Sequence, residues 1–323
     1  MKSSSRFALT TLMESFTRIV LAAIVLLSFH LIGSSPAAGQ GLNLCSKTSQ
    51  DVSKSCNSGV QDQYWITIGK CENLPTKDER KTCGQQAKQD SKLGSDGCKA
   101  QFAARQGICN TLGEAAYNPI INPADFVAKI DNPYLPLTPG TIYIYEGVTE
   151  KGNEHNEVYV THHTNVILGV TCTVVKDTVK VDGVLAEDTI DWFAQDKFGN
   201  VWYFGENSLE YDGGLVVSLG GSWMAGVDGA KPGIVMKAVP QMGDLYRQEF
   251  ALGVAEDMAQ VIALNQSTTV PAGTFDHCVE TKDFSPLEPD VVEHKFYAPG
   301  VGNVQTVDAS TGKHLDLINI ITE

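Results

Sequence analysis

Hydrophobic residues fall into three regimes along the chain. A nearly continuous apolar run covers 19–33; between Cys45 and Cys109 large apolar residues are sparse, and polar stretches such as 77–81 and 85–92 dominate. From Ile142 onward they return as short runs of β-branched and aromatic side chains at 142–145, 158–161, 166–175, 184–193, 201–204 and 261–264. Asp182-Gly183, Gly199-Asn200 and Asp212-Gly213-Gly214 punctuate these runs with turn chemistry. The pattern predicts a targeting segment, a small helical module and a mainly antiparallel β domain.

The first segment has the build of a secretory signal peptide. Lys2, Arg6 and Arg18 precede the apolar run, and Ala37-Ala38-Gly39 offers small residues for cleavage after Gly39, so residues 1–39 are expected to be removed. The run of 15 residues falls short of the roughly 20 that a spanning helix needs. Cys45 follows Leu44, where a lipidated cysteine wants a small residue, so a lipid anchor is not expected. The mature protein is expected to be soluble and periplasmic or extracellular.

Eight cysteines, none before residue 45, suit an oxidising compartment. Six of them, Cys45, Cys56, Cys71, Cys83, Cys98 and Cys109, are separated by 11, 15, 12, 15 and 11 residues, a palindrome. Eleven residues bring a helical side chain back to nearly the same face, which suggests disulfide-stapled helices. Metal ligands would sit two to four residues apart and no such pair occurs, so no metal is expected. Thr76 followed by Glu79 reads as a capping box that opens a helix after Pro75. The pairing among the six is open; Cys172 and Cys278 remain for each other.

Residues 40–117 thus form a cysteine-rich helical module. Five prolines between 118 and 140 mark an extended linker, and 141–323 form the β domain, for an α+β chain overall. Formal net charge is −14, from 24 basic and 38 acidic residues, which disfavours a nucleic-acid partner. The acidity belongs to the β domain: residues 118–323 hold 11 basic and 29 acidic side chains, whereas 41–117 hold 10 and 8.

The β domain carries a diverged internal repeat. Cys172 precedes Lys176-Asp177 as Cys278 precedes Lys282-Asp283, and Phe193 precedes Gly199-Asn200-Val201 as Phe296 precedes Gly302-Asn303-Val304. Two similar meanders in one curved sheet or open barrel follow from it. The segment Val270-Pro271-Ala272-Gly273-Thr274-Phe275, with Tyr297-Ala298-Pro299-Gly300-Val301-Gly302, resembles a signature of exported bacterial half-barrel proteins of the lipoprotein-carrier type. The blocks 191–206, 221–223 and 226–233 resemble an uncharacterised family of secreted bacterial proteins. The resemblance covers about 115–305 and implies a curved sheet around an apolar cavity, with no activity attached. The cysteine-rich front is not part of that half-barrel pattern.

Motifs of the GxSxG, HExxH, GxGxxG and P-loop kinds do not occur, and no cofactor is expected. If the repeat holds, Asp191 and His294 are equivalent and form, with Asp188, the candidate set for an exported hydrolase. The reading preferred over it is a binding protein that holds an apolar or amphiphilic small molecule on the curved sheet. Trp192, Trp202, Phe204 and Phe296 are its expected ligand contacts, and Trp223 and Met224, in a glycine-rich segment, its expected lid. The alternative is a module that contacts another exported protein through the stapled helices.

Overall fold

The structure, a computed structural model, describes residues 43–149 and 151–323. The expected signal peptide and its cleavage site lie outside the described residues. Among those that are described, no helix is long and apolar enough to cross a membrane.

Two helices come first, α1 (Leu44–Glu72) and α2 (Lys77–Leu112). Three disulfides, Cys45–Cys109, Cys56–Cys98 and Cys71–Cys83, join them as nested rungs of an antiparallel hairpin. The palindrome is the geometry of that ladder. Steps of 11 and 15 residues recur in mirrored order on the two helices, so both climb the same distance between rungs, about 16 and about 22 Å at the helical rise. The predicted capping box is present: Glu79 N–H donates to Thr76 Oγ1 at 3.2 Å, and Thr76 N–H donates to the Glu79 carboxylate at 3.0 Å. At mid-hairpin a Cβ on Gly94 would stand 2.9 Å from a Val60 methyl, so glycine lets the helices approach. Few side chains are buried along either helix, and the cross-links supply what the thin core lacks.

A 3-10 turn at Pro123–Asp125 leads into β1 (Phe126–Val127), β2 (Ile130–Asn132) and β3 (Leu135–Leu137). The first meander follows with β4 (Thr141–Val148), β5 (Asn153–Ile167), β6 (Val170–Val181), β7 (Val184–Asp196) and β8 (Val201–Asp212). Short strands β9 (Leu215–Ser218) and β10 (Trp223–Met224) precede β11 (Lys231–Met236), β12 (Leu245–Arg247) and β13 (Glu249–Phe250). The second meander is β14 (Met258–Val270), β15 (Gly273–Phe284), β16 (Val292–Ala298), β17 (Gly302–Asp308) and β18 (His314–Thr322).

The main sheet is antiparallel and ordered β12-β14-β15-β16-β17-β18-β4-β5-β6-β7-β8-β11-β13. Its two ends meet in one segment, because only Gln248 separates β12 from β13. The chain is therefore α+β with a sheet nearly closed into a barrel, and 245–250 form the seam: β12 pairs with β14, and β13 with β11. Gly233 permits that seam, since a Cβ there would lie 2.4 Å from the Arg247 carbonyl oxygen. Alternation along the strands sends Tyr143, Tyr145, Val175, Tyr297 and their neighbours inward. The proline-rich residues before β4 also build structure. β1 pairs with β7, and the β2–β3 hairpin lies across one end of the barrel, where Gly300 N–H donates to the Pro133 carbonyl at 2.7 Å.

Cys172 and Cys278 correct an expectation. They are free and buried, on β6 and β15, with five strands between them in the sheet. A bridge needs Cα atoms within about 7 Å, a separation that so many intervening strands do not allow.

The hairpin docks against the barrel through a buried ion pair. Arg105 Nε and Nη2 donate to the two Glu256 carboxylate oxygens at 2.8 Å each, and both residues are almost wholly buried. Glu256 also accepts the Gly253 N–H at 2.7 Å. Around it Tyr117 donates to the Pro232 carbonyl at 2.8 Å, and the Arg247 guanidinium lies over the Tyr117 and Phe250 rings.

Two outcomes follow. Alkylation and peptide mapping of the native protein will find the three nested bridges, with Cys172 and Cys278 labelled only after denaturation. Arg105→Ala, which strands the Glu256 charge without a partner, will cost about 3–5 kcal/mol in a denaturant titration; a loss below about 1 kcal/mol would show that water reaches the joint.

Candidate functional site

The barrel encloses a cavity of about 440 Å³, within the range of small-molecule sites. Near the β2–β3 hairpin its lining is apolar, with Leu135, Leu137, Phe193, Val235 and Val301. Tyr145, Tyr203 and Tyr297 stand along the wall, with Phe193 stacked on Tyr203 at 4.6 Å. Toward the other end it becomes acidic, with Glu154, Asp177, Asp191, Glu249, Asp257 and Glu293 against a single cationic group, Lys295. A second cleft under the turns after β4 and β17 shares Glu154, Glu293, Thr306 and Leu315 with the cavity and adds Lys151 and Lys313.

Strand register explains how so many carboxylates converge. Asp177 on β6, Asp191 on β7 and Glu293 and Lys295 on β16 all occupy inward positions of alternating strands. A register shift between Trp192/Gly205 and Phe193/Tyr203 turns both Tyr203 and Glu206 toward Asp191, and Tyr203 Oη donates to Asp191 Oδ1. On the opposite wall Lys295 Nζ lies 3.4 Å from both Asp283 Oδ2 and Glu293 Oε2.

Burial and mutual repulsion set the protonation of this cluster. Burial pushes Asp191 up to about 8, with the Glu206 and Glu187 charges adding to it and the Tyr203 hydroxyl offsetting part. Glu206 is pushed up to about 7 by burial and by Glu187 and Asp257. Burial likewise drives Asp177 and Glu249 well above the carboxylate range and raises Asp257. Burial works against the Lys295 ammonium, but the charges of Asp283 and Glu293 together outweigh it and hold the group protonated.

Of the candidate catalytic, ligand-contact and lid residues read from the sequence, Asp191 alone lines the cavity. His294 alternates with the inward Glu293 and Lys295, so it points outward, where Nδ1 lies 2.9 Å from Glu280 Oε1. Asp188 is also outward, on Lys176 at 3.1 Å and Thr178 at 3.0 Å. The expected carboxylate–imidazole set is therefore split between the two faces of the wall. The register supplies the reason: Asp177 pairs with Thr189 and Asp283 with Glu293, so superposing those hairpins puts Asp191 on Lys295 and Phe193 on Tyr297. The repeat read from Phe193 and Phe296 is one residue out of step with the pairing, and a one-residue slip exchanges faces.

The aromatic candidates lie outside the cavity as well. Trp192 and Phe204 belong to a second buried cluster with Trp223, Ala225, Ala230, Ala251 and Ala255. Trp223 and Met224 form β10 on Glu206 and Gly205, so this segment covers the sheet instead of moving over the cavity. Trp202 donates its indole N–H to Asp196 at 2.9 Å and packs on Phe126, and Phe296 packs on the core without lining the cavity. Of the charged residues that do line it, Asp177, Glu249, Asp257, Glu293 and Lys295, only Glu293 and Lys295 carry a signal in sequence, as charged side chains two positions apart on one strand.

No family model and no curated protein matches the chain. A similar solved structure is that of a "putative lipoprotein" from Parabacteroides distasonis ATCC 8503, at 15% identity and a TM-score of 0.32, over 59% of this chain and 99% of that one.

The raised carboxylates make stability depend on pH with a definite sign. Between the ordinary carboxylate range and about 8, folded Asp191 holds a proton that the unfolded chain has lost, so stability falls as pH rises through that window. Melting temperature will drop from pH 5 to pH 8, and Asp191→Asn will flatten the drop and raise the value at pH 8. A melting temperature that rises across the window, or an unchanged profile in the variant, would contradict this assignment.

Proposed function

We propose that this is an exported binding protein whose barrel holds a small amphiphilic cation, with its apolar body on the Leu135–Val301 floor and its charge among the carboxylates. The observation that carries the reading is the composition of the cavity wall: six carboxylates and one ammonium above an apolar, tyrosine-flanked floor. Clustered carboxylates destabilise one another when ionised, and a bound cation relieves that repulsion while an anion adds to it. Tyrosine rings offer a cation their negative faces. The three disulfides suit an extracytoplasmic site of action. Exposed Trp65 and Leu93 on the helical hairpin support a second contact, with another exported protein, beside the cavity ligand.

The test is calorimetric titration at pH 8 and low salt with tyramine, 4-ethylphenol and 4-hydroxyphenylacetate, three probes of similar shape that differ in charge. Tyramine will bind at least tenfold more tightly than the neutral phenol, and the acid will not bind. Equal binding of all three, or preference for the acid, would overturn the reading.

A further inference from the structure

Within the acidic wall one place lacks a hydrogen-bond donor. Asp177 and Asn156 both line the cavity, and Asn156 donates an amide N–H to Asp177. Asp177 Oδ1 and Asn156 Oδ1 are each shielded from solvent and accept no hydrogen bond. If Asp177 ionises, it and Asn156 become two neighbouring buried acceptors without a donor, which is why burial favours its protonated form; a group that brought several N–H bonds together with positive charge would satisfy both oxygens and let Asp177 ionise.

The second meander shows what such a group looks like. Asp283 stands where Asp177 stands in the first meander, as the β6–β7 and β15–β16 registers show, and it faces the primary ammonium of Lys295. The position equivalent to Lys295 is Asp191, a carboxylate, so the first meander has the acceptor and lacks the amine.

We infer that Asp177 and Asn156 form the anchoring subsite for a primary ammonium group, which takes the role that the Lys295 ammonium plays beside Asp283. The inference rests on the cationic-ligand reading and narrows it. A primary ammonium offers three N–H donors to the two oxygens; a quaternary ammonium has the same charge and offers none.

Calorimetric titration of the full mature protein with tyramine and with its N,N,N-trimethyl derivative separates the possibilities. The native protein will prefer tyramine by at least tenfold, and Asn156→Ala will compress the preference to within about threefold by weakening tyramine alone. Asp177→Asn will weaken both probes and also reduce their ratio. Equal affinities in the native protein would overturn the subsite while leaving the cationic reading in place, as would a ratio that neither substitution changes. Failure of both amines to bind better than 4-hydroxyphenylacetate would remove the cationic reading and the subsite with it. The native-protein comparison needs no variant, so a substitution that failed to fold would not shelter the proposal.

Discussion

Closure of the sheet is the constraint on which the rest of this protein depends. Once 245–250 bridge β14 and β11, every inward side chain shares one small volume, and strand alternation decides what enters it. Here it admits an apolar floor and an acidic upper wall. Carboxylates that would be unremarkable on an open sheet become a coupled set whose members resist ionisation in one another's presence. The internal Lys295 relieves this on one side of the barrel and leaves the other side uncompensated. The chemistry of the cavity is thus a consequence of topology acting on ordinary residues.

The helical arm is held by different physics. Its helices are long and polar, and its rigidity comes from covalent rungs and from the close approach at Gly94. The arm meets the barrel at a desolvated ion pair, which gives a specific geometry more than net stability, because two charges had to leave water to form it. Bidentate geometry fixes the orientation of Arg105 on Glu256 in a way that an apolar contact would not.

Much of this was legible in the sequence, and the parts that were not share a cause. Cysteine spacing announced stapled helices because a helix converts residue count directly into distance, though it left the pairing open, and Thr76 with Glu79 announced the start of α2 by an equally local signal. The β runs announced an antiparallel sheet. The site was harder, since membership of the cavity depends on which face of a strand a residue occupies, and a register shift or a one-residue offset changes that face. Asp191 was among the candidates and lines the cavity, but the position equivalent to it was sought at His294, whereas the strand pairing makes it Lys295. The tryptophans drew attention by their size and serve as packing on the outside of the wall.

The nesting of the disulfides has a kinetic side. Sequence separations of 12, 42 and 64 residues mean that loop closure costs least for Cys71–Cys83, at the turn between the helices. Once that bond is made, the shortest remaining native loop is the one closed by Cys56–Cys98, and Cys45–Cys109 comes last, beside the barrel. Oxidation can therefore advance from the tip to the base like a zip, each closure bringing the next pair together. The six thiols of the hairpin could pair in 15 ways, and this arrangement gives their oxidation a built-in order that steers it past the wrong ones.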